Sequence, residues 1–137
     1  MKKFIPVLVI VLVLLVCLCA CSKKDEPTVI KQSDTYIVLT PTKDFAGKNL
    51  IDFMAKAKAD GDLEYEVANG MVTSINGIAN PSDFSSCWML YTSDEAQANT
   101  AWGTIEYDGK TYGSATKGAE ELVVIEGGLY IWVFTTF

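Results

Sequence analysis

Two dipeptides, Asn69-Gly70 and Asp108-Gly109, commit this chain to antiparallel β-structure. Each is a two-residue turn whose residues tolerate positive φ, the geometry that joins paired strands without splaying them. Leu63, Tyr65 and Val67 alternate with Glu64 and Glu66 before the first turn, and Met71, Thr73 and Ile75 continue beyond it to Asn76-Gly77. Thr104-Ile105-Glu106-Tyr107 and Lys110-Thr111-Tyr112 flank the second. Alternation of this kind places apolar side chains on one face of a strand and polar ones on the other.

The remaining elements fit around these hairpins. Thr35 to Leu39 is β-rich and stops at Pro41, so it is predicted as the first strand. Lys48 to Asp60 is the one clear helix: Leu50, Phe53, Met54 and Ala57 recur at helical spacing, Lys56 and Lys58 fall in its last turn, and Gly61 can close it. Residues 77–85, with Pro81, and residues 93–101 read as loops. Cys87-Trp88-Met89-Leu90-Tyr91 and Leu129 to Phe134 are apolar on both faces and are expected inside the sheet. Leu122 to Ile125 and Gly127-Gly128 lead into that last strand. The expected fold class is α+β, β-grasp-like, with one helix packed on a mixed, mostly antiparallel sheet and the first and last strands side by side. Composition alone does not choose β-grasp over other α+β folds.

The N-terminal stretch sets location. Lys2 and Lys3 precede an apolar run from Phe4 to Val16, and the run closes on Leu18-Cys19-Ala20-Cys21. A positive head, an apolar middle and small residues before a cut make a secretory signal. The closing quartet resembles a bacterial lipobox, which implies cleavage before Cys21 and acylation of its sulfur, for instance by palmitate. The domains expected are a signal peptide over 1–20, a lipidated flexible linker over 21–34 and a folded domain over 35–137. An uncleaved transmembrane anchor is the alternative, since the run is about long enough to span a bilayer; it leaves the domain on the same side. The offsets of Leu18 and Ala20 and the polar residues 22–27 favour cleavage. Ser22 in place of Asp would direct a Gram-negative lipoprotein to the outer membrane.

Charge and residue usage exclude several classes. The chain has formal charge −6, and loss of Lys2 and Lys3 makes the exported part more acidic still. It contains no arginine. Such a surface is repelled by phosphate backbones and anionic lipid, so no nucleic acid partner is expected and membrane attachment falls to the lipid. There is no histidine, which removes the commonest general base and imidazole metal ligand. Cys17 and Cys19 leave with the signal and Cys21 carries lipid, so Cys87 is a lone thiol beside Trp88 and is expected in the core.

Val72-Thr73-Ser74-Ile75-Asn76-Gly77, followed by Trp88-Met89-Leu90-Tyr91, resembles the transcobalamin C-terminal-like domain family of bacterial surface proteins. That family orders a helix, a V-x-S-I-x-G strand end, a loop, a strand opening on Trp and a closing hairpin, and the likeness covers about residues 35–137. It implies a β-grasp domain that binds a soluble ligand, with cobalamin-like corrinoids as the first guess. The strand matching Trp88, Met89, Leu90 and Tyr91 lies near ligand in the vitamin carriers. There a helical domain forms the other wall; here that wall would come from a partner surface protein or transporter.

Other chemistry is thin. Asp60-Gly61-Asp62-Leu63-Glu64 begins like a calcium loop but lacks its continuation, so no metal is expected. Glu120-Glu121 and Asp94-Glu95 are adjacent pairs whose side chains diverge on a strand. No nucleophile–base set emerges, so no catalytic residue, cofactor or enzyme activity is expected. Most aromatic side chains suit a core; Trp102, in the polar stretch Asn99-Thr100-Ala101-Trp102-Gly103, is a candidate platform for a flat ligand or partner. The function expected is a lipid-anchored extracytoplasmic binding module, with an adhesive protein–protein module as the alternative.

Overall fold

The computed structural model describes residues 28–137. Cys21, the signal and the first part of the linker lie outside the described residues. Nine strands and one α-helix follow in order: β1 Thr28–Ser33, β2 Tyr36–Thr40, α1 Leu50–Ala59, β3 Tyr65–Ala68, β4 Met71–Ile75, β5 Ile78–Ala79, β6 Ser86–Thr92, β7 Ala98–Tyr107, β8 Lys110–Ala115 and β9 Tyr130–Thr136. Six strands form one sheet in the order β1-β2-β9-β6-β8-β7, and β3-β4-β5 form a second, smaller one. Every described ladder is antiparallel, so the mixed sheet expected from sequence is not what these strands build. The class is α+β.

The two strands without a polar face take the centre. β9 lies between β2 and β6, with Ile37 opposite Trp132 and Leu90 opposite Trp132 on its other side. Period-2 alternation then sorts side chains to two faces. Ile37, Leu39, Trp88, Leu90, Tyr130 and Trp132 meet the helical stripe Leu50, Phe53, Met54 and Ala57, together with Val72 and Ile75 of the small sheet. All four stripe residues are buried, as the spacing predicts. The Asp52 carboxylate accepts a hydrogen bond from the Asn49 N–H at 3.2 Å and so satisfies a donor at the helix start.

Val38, Tyr91 and Ile131 occupy the opposite face. A single helix cannot cover both sides, and here the β7–β8 hairpin does the second job. β8 pairs with β6 only at Tyr91–Ser114 and Thr92–Gly113. Beyond that point the hairpin leaves the sheet and arches across its face to reach β2, four positions away in strand order. The Tyr36 hydroxyl donates to the Glu106 carbonyl at 2.9 Å, and the Tyr36 and Tyr107 rings lie 6.4 Å apart. Tyr107 and Tyr112 pack over the Val38–Tyr91–Ile131 cluster.

Four boundaries differ from the sequence expectation. The spacer reading of 21–34 gives way over Thr28–Ser33, an edge strand paired with β2; its mostly exposed face lets polar residues into the strand and hides it. Asn76-Gly77 is a true two-residue turn, with φ of 47° and 83°, joining β4 to the short β5 inside the expected loop. Strand β7 begins at Ala98, also inside an expected loop. Finally, 116–129 does not pair with β9 as a closing hairpin. It docks on the start of the helix, where the N–H groups of Gly47, Leu50 and Ile51 donate to the carbonyls of Val124, Leu122 and Ala119. Leu122 and Val124 are buried there. The Gln97 side chain holds the same segment, donating to the Val123 carbonyl at 2.8 Å and accepting from its N–H at 3.0 Å.

Candidate functional site

The five ligand candidates read from the sequence do not converge on one place. Strand alternation sends Trp88 and Leu90 to the helix side of the sheet and Met89 and Tyr91 to the other. Trp102 stands apart from both, in a bulge. The β7–β8 register jumps from Asn99–Ser114 to Thr104–Gly113, so residues 100–103 loop out of the ladder. Gly103 closes the bulge at φ 139°, a conformation that β-carbons disfavour. The Trp102 side chain is 62% exposed on this outermost strand.

Three of the five nevertheless border one cleft. It lies where the small sheet, β6 and the 116–119 segment meet, with a volume of about 260 Å³, and its border includes Trp88, Met89 and Leu90. Met71 and Val72 close one side, and Ala115 and Ala119 the other. Trp132 stands in its wall. Tyr91 and Trp102 are not part of it. Met71, 48% exposed, and Lys117, also exposed, are the side chains free to move at its border.

Trp88 is placed here by polar ties to the small sheet. Its indole N–H donates to the Ile78 carbonyl at 2.7 Å, and its backbone N–H donates to the Asn80 side chain at 2.9 Å. Asn80 in turn reaches the Val72 carbonyl at 3.4 Å. Phe134 packs against the Trp88 ring, centroids 5.4 Å apart. Trp88 is therefore a scaffold residue that shapes the cleft, with 5% of its surface exposed.

A wider groove of about 900 Å³ opens where β8 departs from β6, bordered by Thr92, Ser93, Tyr107, Tyr112 and Leu129. It is larger and more polar, but contains none of the five sequence candidates.

The other candidate groups are occupied by ordinary contacts. Lys56 pairs with Asp60 and Lys58 with Glu64, so two carboxylates of the calcium-like stretch already face lysines. Among the described residues, no three His, Cys, Asp or Glu side chains gather where they could share a metal. Cys87, expected in the core, is only half-buried; it lies 3.5 Å from the Met89 sulfur, and partial burial pushes its thiol above the ordinary cysteine value. The thiol is thus protonated at neutral pH and a poor nucleophile. Iodoacetamide at pH 7.5 is expected to label Cys87 more slowly than free cysteine, with the rate climbing as pH rises past the usual thiol range. Labelling as fast as free cysteine would show an activated thiolate instead.

Compared with protein-family models, with curated proteins and with solved structures, the chain matches none.

Proposed function

We propose that this chain is an extracytoplasmic binding module, tethered through an acylated Cys21, that takes a small soluble ligand into the cleft beside Trp88, Met89 and Leu90. One observation carries the reading. Three residues singled out from the sequence border a single solvent-reaching cleft whose apolar walls also carry the polar side chains of Ser114, Thr116 and Lys117, the usual character of a small-molecule site. The transcobalamin-like resemblance contributes the finer frame, a β-grasp-like domain with β2 and β9 side by side, and a ligand class, a corrinoid or similar compound. A corrin ring is too large for about 260 Å³, so only a side arm would enter, with the ring held outside between this domain and a partner surface protein or transporter. The tether would raise the local concentration for that partner. The reading is non-catalytic: the chain has no histidine, and its Cys87 thiol is held neutral by burial.

The test is calorimetric titration of the protein, purified from membranes in detergent, with cobinamide and with cobalamin. Saturable binding that weakens several-fold in Met71→Ala, a change at an exposed side chain, is the expected result. Absence of binding up to millimolar corrinoid would remove that ligand class. Radioactive palmitate is expected to label the wild-type chain and not Cys21→Ala; label retained in the variant would overturn the anchor.

A second reading is favoured by Trp102. A large aromatic side chain, mostly exposed in a bulge of an outermost strand, suits an adhesive protein–protein contact with no small ligand. On that reading Trp102→Ala abolishes partner adhesion and Met71→Ala does not.

A further inference from the structure

We propose that the cleft receives, at Trp132, an uncharged hydrogen-bond acceptor, such as an amide, ketone or ester oxygen carried on an apolar fragment. This rests on reading the cleft as a ligand site and adds the chemistry of the group that enters it.

Trp132 is 4% exposed and fixed in register on both sides, opposite Ile37 and Leu90. Its Nε1–H is the one buried side-chain nitrogen or oxygen among the described residues that has no hydrogen-bond partner. Trp88, on the next strand and in the same cleft, shows the ordinary outcome, with its N–H satisfied by the Ile78 carbonyl. A buried donor left unpaired is unfavourable, and an acceptor placed at Trp132 would remove that deficit. An indole N–H can only donate, which fixes the complement as an acceptor.

The walls decide which acceptor. Val72, Leu90, Ala115 and Ala119 offer no charge, and Ser114 and Thr116 add only neutral hydroxyls. Lys117 is exposed, forms no ion pair with a described residue, and is the one charged side chain at the cleft. A carboxylate carried to a donor this deeply buried would lose its hydration, while Lys117 stays in water at the border, so the exchange is poorer than for a neutral group. A neutral carbonyl loses far less and gains the bond. The volume is below the range of roughly 300–1,000 Å³ typical for whole drug-sized ligands, so one end of a ligand enters. The N–H is closed to solvent, so the wall at Trp132 has to open for the group to reach it; Met71 and Lys117 are exposed side chains at the border of the same cleft.

The test follows the indole N–H signals of Trp88, Trp102 and Trp132 by proton–nitrogen NMR on the full chain as purified in detergent, assigned through single Trp→Phe variants. The probes are 2-piperidone, a neutral cyclic amide, and cyclopentanecarboxylate, an anion of similar size. Expected is a saturable downfield shift of the Trp132 indole proton with 2-piperidone, at least tenfold weaker binding of the carboxylate, and about tenfold weaker 2-piperidone binding in Trp132→Phe, as loss of roughly 1.4 kcal/mol requires. If 2-piperidone shifts the Ala115 and Ala119 amides but leaves the Trp132 indole unmoved, or binds Trp132→Phe equally, the donor role is overturned while the cleft stands as a site. Equal or tighter binding of the carboxylate overturns the neutral-acceptor class. If neither probe perturbs any cleft amide at tens of millimolar, the reading of the cleft as a ligand site fails, and this proposal with it.

Discussion

Phe53→Ala is expected to destabilise the domain by roughly 3–5 kcal/mol, the cost of emptying a fully buried aromatic site. Phe53 has no exposed surface and lies at the middle of the α1 stripe. Its ring meets Phe45 edge-on, 5.4 Å between centroids, so the change also removes an aromatic pair. It packs in the cluster that joins the helix to β2, β6 and β9, and α1 is the one α-helix among the described residues available to cover that face. Domains of this size carry about 5–15 kcal/mol in total, so the variant should lose a large share of its stability. Urea denaturation followed by circular dichroism measures the loss. Ala55→Ser, on the exposed side of the same helix, serves as the control and should change stability by less than about 0.5 kcal/mol. A loss below about 1 kcal/mol for Phe53→Ala would mean that the helix does not seal the sheet in this way.

Sequence signals of short range were legible. The helical stripe needs only the spacing of four residues, and all four are buried. Asn69-Gly70 and Asp108-Gly109 adopt positive φ at both positions, because the turn itself requires it wherever the hairpin lies. Cys87 to Tyr91 and the last strand were legible as interior strands because a run without a polar face has to be covered on both sides.

What the sequence hid depends on distant partners. Thr28–Ser33 is a strand because β2 offers it an open edge, and little in its composition demands burial. Strand β7 was masked where four residues loop out of its ladder and break the alternation on which a strand reading depends. The arch of the β7–β8 hairpin over Val38, Tyr91 and Ile131 rests on the Tyr36–Glu106 bond, between residues 70 apart in sequence. The site was half legible. Trp88, Met89 and Leu90 border the cleft, yet Tyr91 belongs to the opposite face and Trp102 to a distant bulge. Trp132 was read as core, which it is; its unpaired N–H exists only once the surrounding acceptors are placed, and no property of the residue type announces it.

Trp88→Ala is expected to cost about 3–5 kcal/mol as well, and the reason separates scaffold from ligand contact. Trp88 holds the small sheet to the large one through its indole bond to Ile78 and its backbone bond to Asn80, while its ring fills space against Phe134. Truncation empties the ring site and leaves the Ile78 carbonyl without its donor. Trp88→Phe keeps much of the ring and removes the donor, so it should cost less, on the order of 1–3 kcal/mol. Asn80→Ala deletes the other tie and should fall in the same range. The Trp88→Phe and Asn80→Ala losses should not simply add, since Trp88 and Asn80 share one connection between the sheets. Urea titrations of the single variants and of the Trp88→Phe, Asn80→Ala double variant give the coupling directly. Additivity within about 0.3 kcal/mol would show that the two ties act independently. Loss of ligand binding in Trp88→Ala alone would then say only that the cleft had lost its wall; the contact residues are those, such as Met71, whose removal leaves stability intact.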